Sequence, residues 1–138
     1  MKKTYTIVII SILIFFISLP FDAVYTKDHN VTGLFCFLLG WAEMQGGGIA
    51  WMANPLLVIS AFLLLMKKPK VSAVISFLAL ALTFCFLSVA EITVDEAGHQ
   101  YPITGYGPAY YLWIASCVSL FAGSIILVKS PEQSPVSR

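Results

Sequence analysis

The chain has 138 residues, 59% of them hydrophobic and only 11% charged, with a formal net charge of +1. An ordinary soluble domain carries about 25% charged residues, and a disordered chain needs low hydrophobicity, so both classes are excluded in favour of an integral membrane protein. Nothing in the charge balance suggests nucleic acid as a partner, because such binders cluster their basic residues on one face.

In chain order, the first predicted element is an apolar helix over 5–21, preceded by Lys2 and Lys3 and followed by Asp22. Its start resembles a signal peptide. The apolar run is longer than the usual h-region, however, and Phe21-Asp22-Ala23 lacks a small residue where cleavage needs one, so the segment is read as a retained anchor.

The stretch from Gly33 to Met66 is mostly apolar, and as one straight helix it would run about 51 Å, well beyond the roughly 30 Å hydrocarbon layer. Gly46, Gly47 and Gly48 mark the place to break it, since consecutive glycines give the weakest helix. The reading is therefore a half-helix over 33–45, interfacial or re-entrant, followed by a second span over 49–66. Within that span Pro55 removes an N–H and crowds the carbonyl of Trp51, which predicts a kink beside Asn54.

A third span over 71–90 has no charge, and a fourth over 108–128 opens on Pro108 at the first helical position, where a missing N–H costs nothing. Residues 129–138, with prolines and serines, read as a disordered tail. The expected fold class is thus all-α: an integral membrane four-helix bundle plus one half-helix, forming a single domain. Small residues recur every four positions as Ala115, Ser119 and Gly123, and as Ser72 and Ser76, and Ala79 and Thr83. Such stripes let helices approach closely in lipid, and Gly123 is expected to sit against the third span.

Four spans with cytoplasmic termini place seven of the eight basic residues inside, Lys27 excepted, as the positive-inside rule requires. Trp41, Trp51, Tyr25, Tyr101, Tyr106, Tyr110, Tyr111 and Trp113 then lie at the outer boundary, where aromatic belts form. The two longer connections and the half-helix also face outwards, so specificity is expected there.

Chemistry-bearing residues are few. Glu43 is the single carboxylate inside an apolar stretch, and an intramembrane ionisable group is a candidate proton carrier. Its bland reading is a side chain pointing to water beside the glycine break. Asn54 with Pro55 could line a solute path, or the helix could simply be kinked and locally satisfied; the absence of a second broken helix favours the latter. Glu91, Asp95, Glu96, His99 and His29 include metal-ligand residue types, but no second copy of a Glu-x-x-His pair accompanies them, so no metal is expected. No nucleophile elbow, Cys-x-x-Cys pair or phosphate loop is present, and neither a catalytic set nor a cofactor is expected.

Gly48-Ile49-Ala50-Trp51-Met52-Ala53-Asn54-Pro55-Leu56, and Ile103-Thr104-Gly105-Tyr106-Gly107 followed by Tyr111-Leu112-Trp113-Ile114-Ala115-Ser116, resemble small four-span bacterial membrane proteins. The resemblance implies an inner-membrane location and no particular activity. The elaborated outer face is also similar in kind to bacterial immunity proteins against membrane-active toxins. The leading expectation is a non-enzymatic accessory, scaffold or immunity-type subunit that meets the bilayer and another membrane protein, or itself, with Tyr101 and Tyr106 as anchors. The alternative is a small carrier or proton-linked subunit using Glu43 and the Asn54-Pro55 break.

Overall fold

A computed structural model describes residues 2–42, 47–94 and 97–130. Helix α1 spans Lys2–Ser18, followed by strands β1 (Asp22–Thr26) and β2 (Asn30–Thr32). The half-helix is α2 (Gly33–Leu39) with a tighter turn over Gly40–Ala42. Helices α3 (Gly47–Trp51) and α4 (Ala53–Leu65) follow, then α5 (Pro69–Cys85) with a tight turn over Phe86–Ser88. Strands β3 (Glu91–Thr93) and β4 (Gln100–Tyr106) lead into α6 (Pro108–Lys129).

Three stretches are long and apolar enough to cross a membrane: Gly48–Leu65, Pro69–Ser88 and Pro108–Lys129. Helix α1, at 17 residues, packs along α6 and turns Ile9, Ile10, Leu13, Phe16 and Ile17 outwards. Burial is inverted relative to a water-soluble bundle. Ser11, Ser60, Ser72, Ser76, Ser116 and Ser124 are fully buried, whereas Val58, Phe62, Val74, Phe77 and Ile126 are exposed. This is the arrangement a hydrocarbon solvent rewards, because polar groups must be satisfied internally while apolar ones lose nothing at the surface.

Hydroxyl contacts fix the helix neighbours and their directions. Ser11 on α1 and Ser116 on α6 each donate to the other's carbonyl, at 2.8 and 2.9 Å. On α5, Ser72 meets Ser60 of α4 at 2.8 Å and Ser124 of α6 at 3.0 Å. Tyr110 on α6 donates to the Thr83 carbonyl of α5 at 2.8 Å. Tyr110 with Thr83 and Ser124 with Ser72 make α6 antiparallel to α5; Ser116 with Ser11 and Gly123 against Ile7 make it antiparallel to α1, and the short turn between Leu65 and Pro69 makes α5 antiparallel to α4. Lys2, Lys3, Lys67, Lys68, Lys70 and Lys129 consequently share one end of the bundle, and the strands share the other.

Where the sequence predicted a kink at Pro55, regular helix is interrupted at Met52, three residues earlier, between α3 and α4. Gly46 lies outside the described residues, and helix resumes at Gly47. The tail beyond residue 130 also lies outside them.

Two sequence expectations need correction. The chain is mostly helical, at 70%, but it is not all-α. The two connections at the strand end form one four-stranded antiparallel sheet in the order β2-β1-β4-β3. Val24-Tyr25-Thr26 and Tyr101 to Tyr106 are rich in β-branched and aromatic residues, which suit a half-buried pleated surface. Pairing of Val24 with Tyr106 and Tyr25 with Gly105 joins segments from opposite halves of the chain. Pro102 is tolerated because successive N–H groups point to alternate sides of a strand. Ile103 donates to Ala90 at 2.9 Å on the β3 side, so Pro102 faces the other side, past Thr26, where β1 has ended. Gly107 closes the sheet onto α6: a Cβ there would collide with the Asp22 carbonyl, and its N–H donates to Ala23 at 2.9 Å.

The second correction concerns Gly123. Its backbone is pressed against the Ile7 side chain of α1, and not against α5. Adjacent residues on a helix point about 100° apart, so Ser124 turns to α5 while Gly123 turns to α1.

Candidate functional site

Between the sheet and the bundle lies a cavity of about 380 Å³. Ala23, Val24, Ile92 and Thr93 of the sheet form its roof. Phe15, Ser18 and Leu19 from the end of α1 and Ala109, Tyr110 and Trp113 from the start of α6 form two walls. Helix α2 contributes Phe35, Cys36 and Phe37, and α3 and α4 contribute Trp51 and Asn54. None of the described lining residues carries a charge.

The walls are held by aromatic packing and by a few directed bonds. Phe86, Tyr106, Tyr110 and Trp113 form a cluster, with Tyr106 and Tyr110 centroids 4.8 Å apart and Phe86 and Trp113 edge-to-face at 6.4 Å. Phe15 of α1 meets Phe37 of α2 edge-to-face at 5.4 Å. The Trp51 indole N–H donates to the Phe37 carbonyl at 2.8 Å, pinning α2 to α3. Thr32 caps α2 by accepting from the Phe35 N–H at 3.2 Å.

Asn54 is the most buried amide side chain at this site, 7% exposed. The Trp113 indole donates to its Oδ1 at 2.9 Å. An indole N–H can only donate, so this bond fixes which end of the amide faces Trp113 and turns the NH2 group away from it. Among the described residues, none accepts from that NH2 group.

The sequence-predicted residues are distributed unevenly. Asn54 and Trp51 line the cavity, and Pro55 sits one residue beyond. Tyr106 belongs to the aromatic cluster, and burial raises its phenol above the usual tyrosine value, with Tyr111 adding a smaller push in the same direction. Tyr101 lies further along β4, with its ring 5.1 Å from that of His29 in the β1–β2 turn. Glu43, Asp95 and Glu96 lie outside the described residues. Among the described residues, no three His, Cys, Asp or Glu side chains gather as metal ligands would.

Sequence reasoning did not find the cavity or its Phe15, Phe37 and Phe86 walls. The one legible signal was the density of aromatic residues at this end of the chain. Comparison with family models, with curated proteins and with solved structures gives no match.

Proposed function

We propose that this protein is a small multi-pass membrane protein that works by binding, without catalysis, at the end of its bundle that carries the sheet. The observation that carries the reading is that both long connections, one carrying β1 and β2 and the other β3 and β4, fold into one sheet over the helix ends. A bundle needing only to span the bilayer could close with short turns, as it does at Lys67. In this reading α1 is a fourth span, both termini are cytoplasmic, and the membrane is the bacterial inner membrane. The lysine-rich end then faces the cytoplasm and the sheet faces outwards.

The partner is another membrane protein or a second copy of the chain, in an accessory, scaffold or immunity-type role. Tyr101 and Thr104 on β4 supply contact surface, while Tyr106 supports it from the cluster beneath. The test is cross-linking followed by co-purification from native membranes, comparing wild type, Glu43→Gln and Tyr101→Ala/Thr104→Glu. Capture should survive Glu43→Gln and be lost in the sheet variant. Capture that survives the sheet change, with function lost in Glu43→Gln, would instead favour the proton-linked carrier.

A further inference from the structure

The cavity beneath the sheet has chemistry of its own, independent of any partner on the sheet's outer surface. Its described lining is uncharged, so an ionic ligand would lose hydration there and gain no counter-charge from the described residues. Its volume of about 380 Å³ falls in the range of small-molecule sites, which are typically apolar with few polar groups. Aromatic rings face it from four elements, among them Phe15, Phe37, Trp51 and Trp113. One further observation points to a ligand. Asn54 is nine-tenths buried, its carbonyl is taken by Trp113, and among the described residues none accepts from its NH2 group. No enclosed side-chain nitrogen or oxygen lacks a partner among the described residues, so the Asn54 NH2 group is reachable from the cavity it lines, where a ligand's acceptor can meet it.

We propose that this cavity binds a neutral, planar ring carbonyl of the quinone class, with the Asn54 NH2 group donating to a ring carbonyl and the aromatic walls stacking on the ring. Each feature of that ligand answers one on the wall. A flat ring suits the aromatic side chains, a carbonyl oxygen supplies the missing acceptor, and neutrality suits the uncharged lining. A lipid-soluble compound of this kind would reach the site through the bilayer that the exposed faces of α1 and α4 imply.

The probe pair is duroquinone, a fully methylated benzoquinone, and durene, the same methylated ring without carbonyls. Full methylation leaves no ring position open to addition by Cys36, which lines the cavity. Binding to the full chain in detergent is measured by isothermal titration. Wild type should bind duroquinone about tenfold more tightly than durene, the worth of one buried hydrogen bond. Asn54→Leu should bring that ratio to about one; Asn54→Ala, with no added bulk, should do the same and serves if the leucine variant does not fold. Equal binding of the two probes by wild type would overturn the proposal, as would no binding of duroquinone, or a ratio unchanged in both variants. Loss of partner capture in the sheet variant leaves this ratio untouched, so the two readings fail separately.

Discussion

Ser11 and Ser116 exchange hydrogen bonds: each hydroxyl donates to the other residue's carbonyl, at 2.8 and 2.9 Å, with both side chains fully buried. The pair joins α1 to α6 where the two backbones come close, which only small residues permit. It is the polar fastening between the first helix and the rest of the bundle, as Ser60, Ser72 and Ser124 are among α4, α5 and α6.

Removing this pair should loosen α1 measurably. Hydrogen bonds between membrane helices average about 0.6 kcal/mol in double-mutant cycles. Ser11→Ala and Ser116→Ala should each cost about that much, and the double variant should cost less than their sum. Unfolding in detergent and denaturant measures this. Strictly additive losses would mean that the two hydroxyls do not act together.

Gly123→Leu should be severe, costing about 1–3 kcal/mol through overpacking against Ile7. Ile126→Leu, on an exposed position, should change stability by less than about 0.5 kcal/mol. The damage should fall on the α1–α6 contact, so Ile7→Ala should relieve part of it. If Ile7→Ala gives no relief, the assignment of Gly123 to α1 is mistaken.

Lys67 offers a gain in stability. It holds a left-handed backbone, φ 60°, at the end of α4. The Lys67 N–H bonds to Leu64 and the Lys68 N–H to Leu63, each at 3.0 Å, forming the Schellman pattern that glycine usually closes. Lys67→Gly should therefore raise stability by roughly 0.5–1 kcal/mol, the left-handed penalty less the glycine's extra chain entropy. A loss of stability would show that the lysine side chain matters more than its backbone.

Tyr106 predicts an alkaline limit. Burial raises its phenol pKa in the folded state, so folding favours the protonated form. That contribution is complete below the unfolded tyrosine value of about 10 and is lost as pH rises through the folded value. Tyr106→Phe should flatten the fall in stability above that pH. Superimposable alkaline profiles would contradict the burial of this phenol.

Much of the helical framework was legible in the sequence, because a 20-residue apolar run has few alternatives, although Gly47 and Gly48, read as part of a break, belong to α3. The interruption at Met52 was foreshadowed for a local reason: Pro55, three residues on, lacks an N–H. The sheet was not. Its strands run from three to seven residues, too short for an alternation to stand out, and β1 finds its main partner in β4, beyond four intervening helices. The Val24-Tyr25-Thr26 and Ile103-Thr104 runs were its only signal. For Asn54, residue type flagged the site, but its partner Trp113 lies 59 positions away and emerges only from helix packing. The small-residue stripe on α6 was visible, yet which neighbour each residue faced was not, since Gly123 and Ser124 serve different helices.

The central claim is that the sheet faces outwards and the lysine-rich turn faces the cytoplasm, so that binding happens at the sheet. Single cysteines at Ala97 and Lys68, both exposed, placed in a chain cleared of Cys36, Cys85 and Cys117, test it by labelling intact cells with a membrane-impermeant thiol reagent. The account predicts labelling of Ala97→Cys in intact cells and of Lys68→Cys only after the membrane is opened. Labelling of Lys68→Cys in intact cells, with Ala97→Cys protected, would invert the topology and contradict the account.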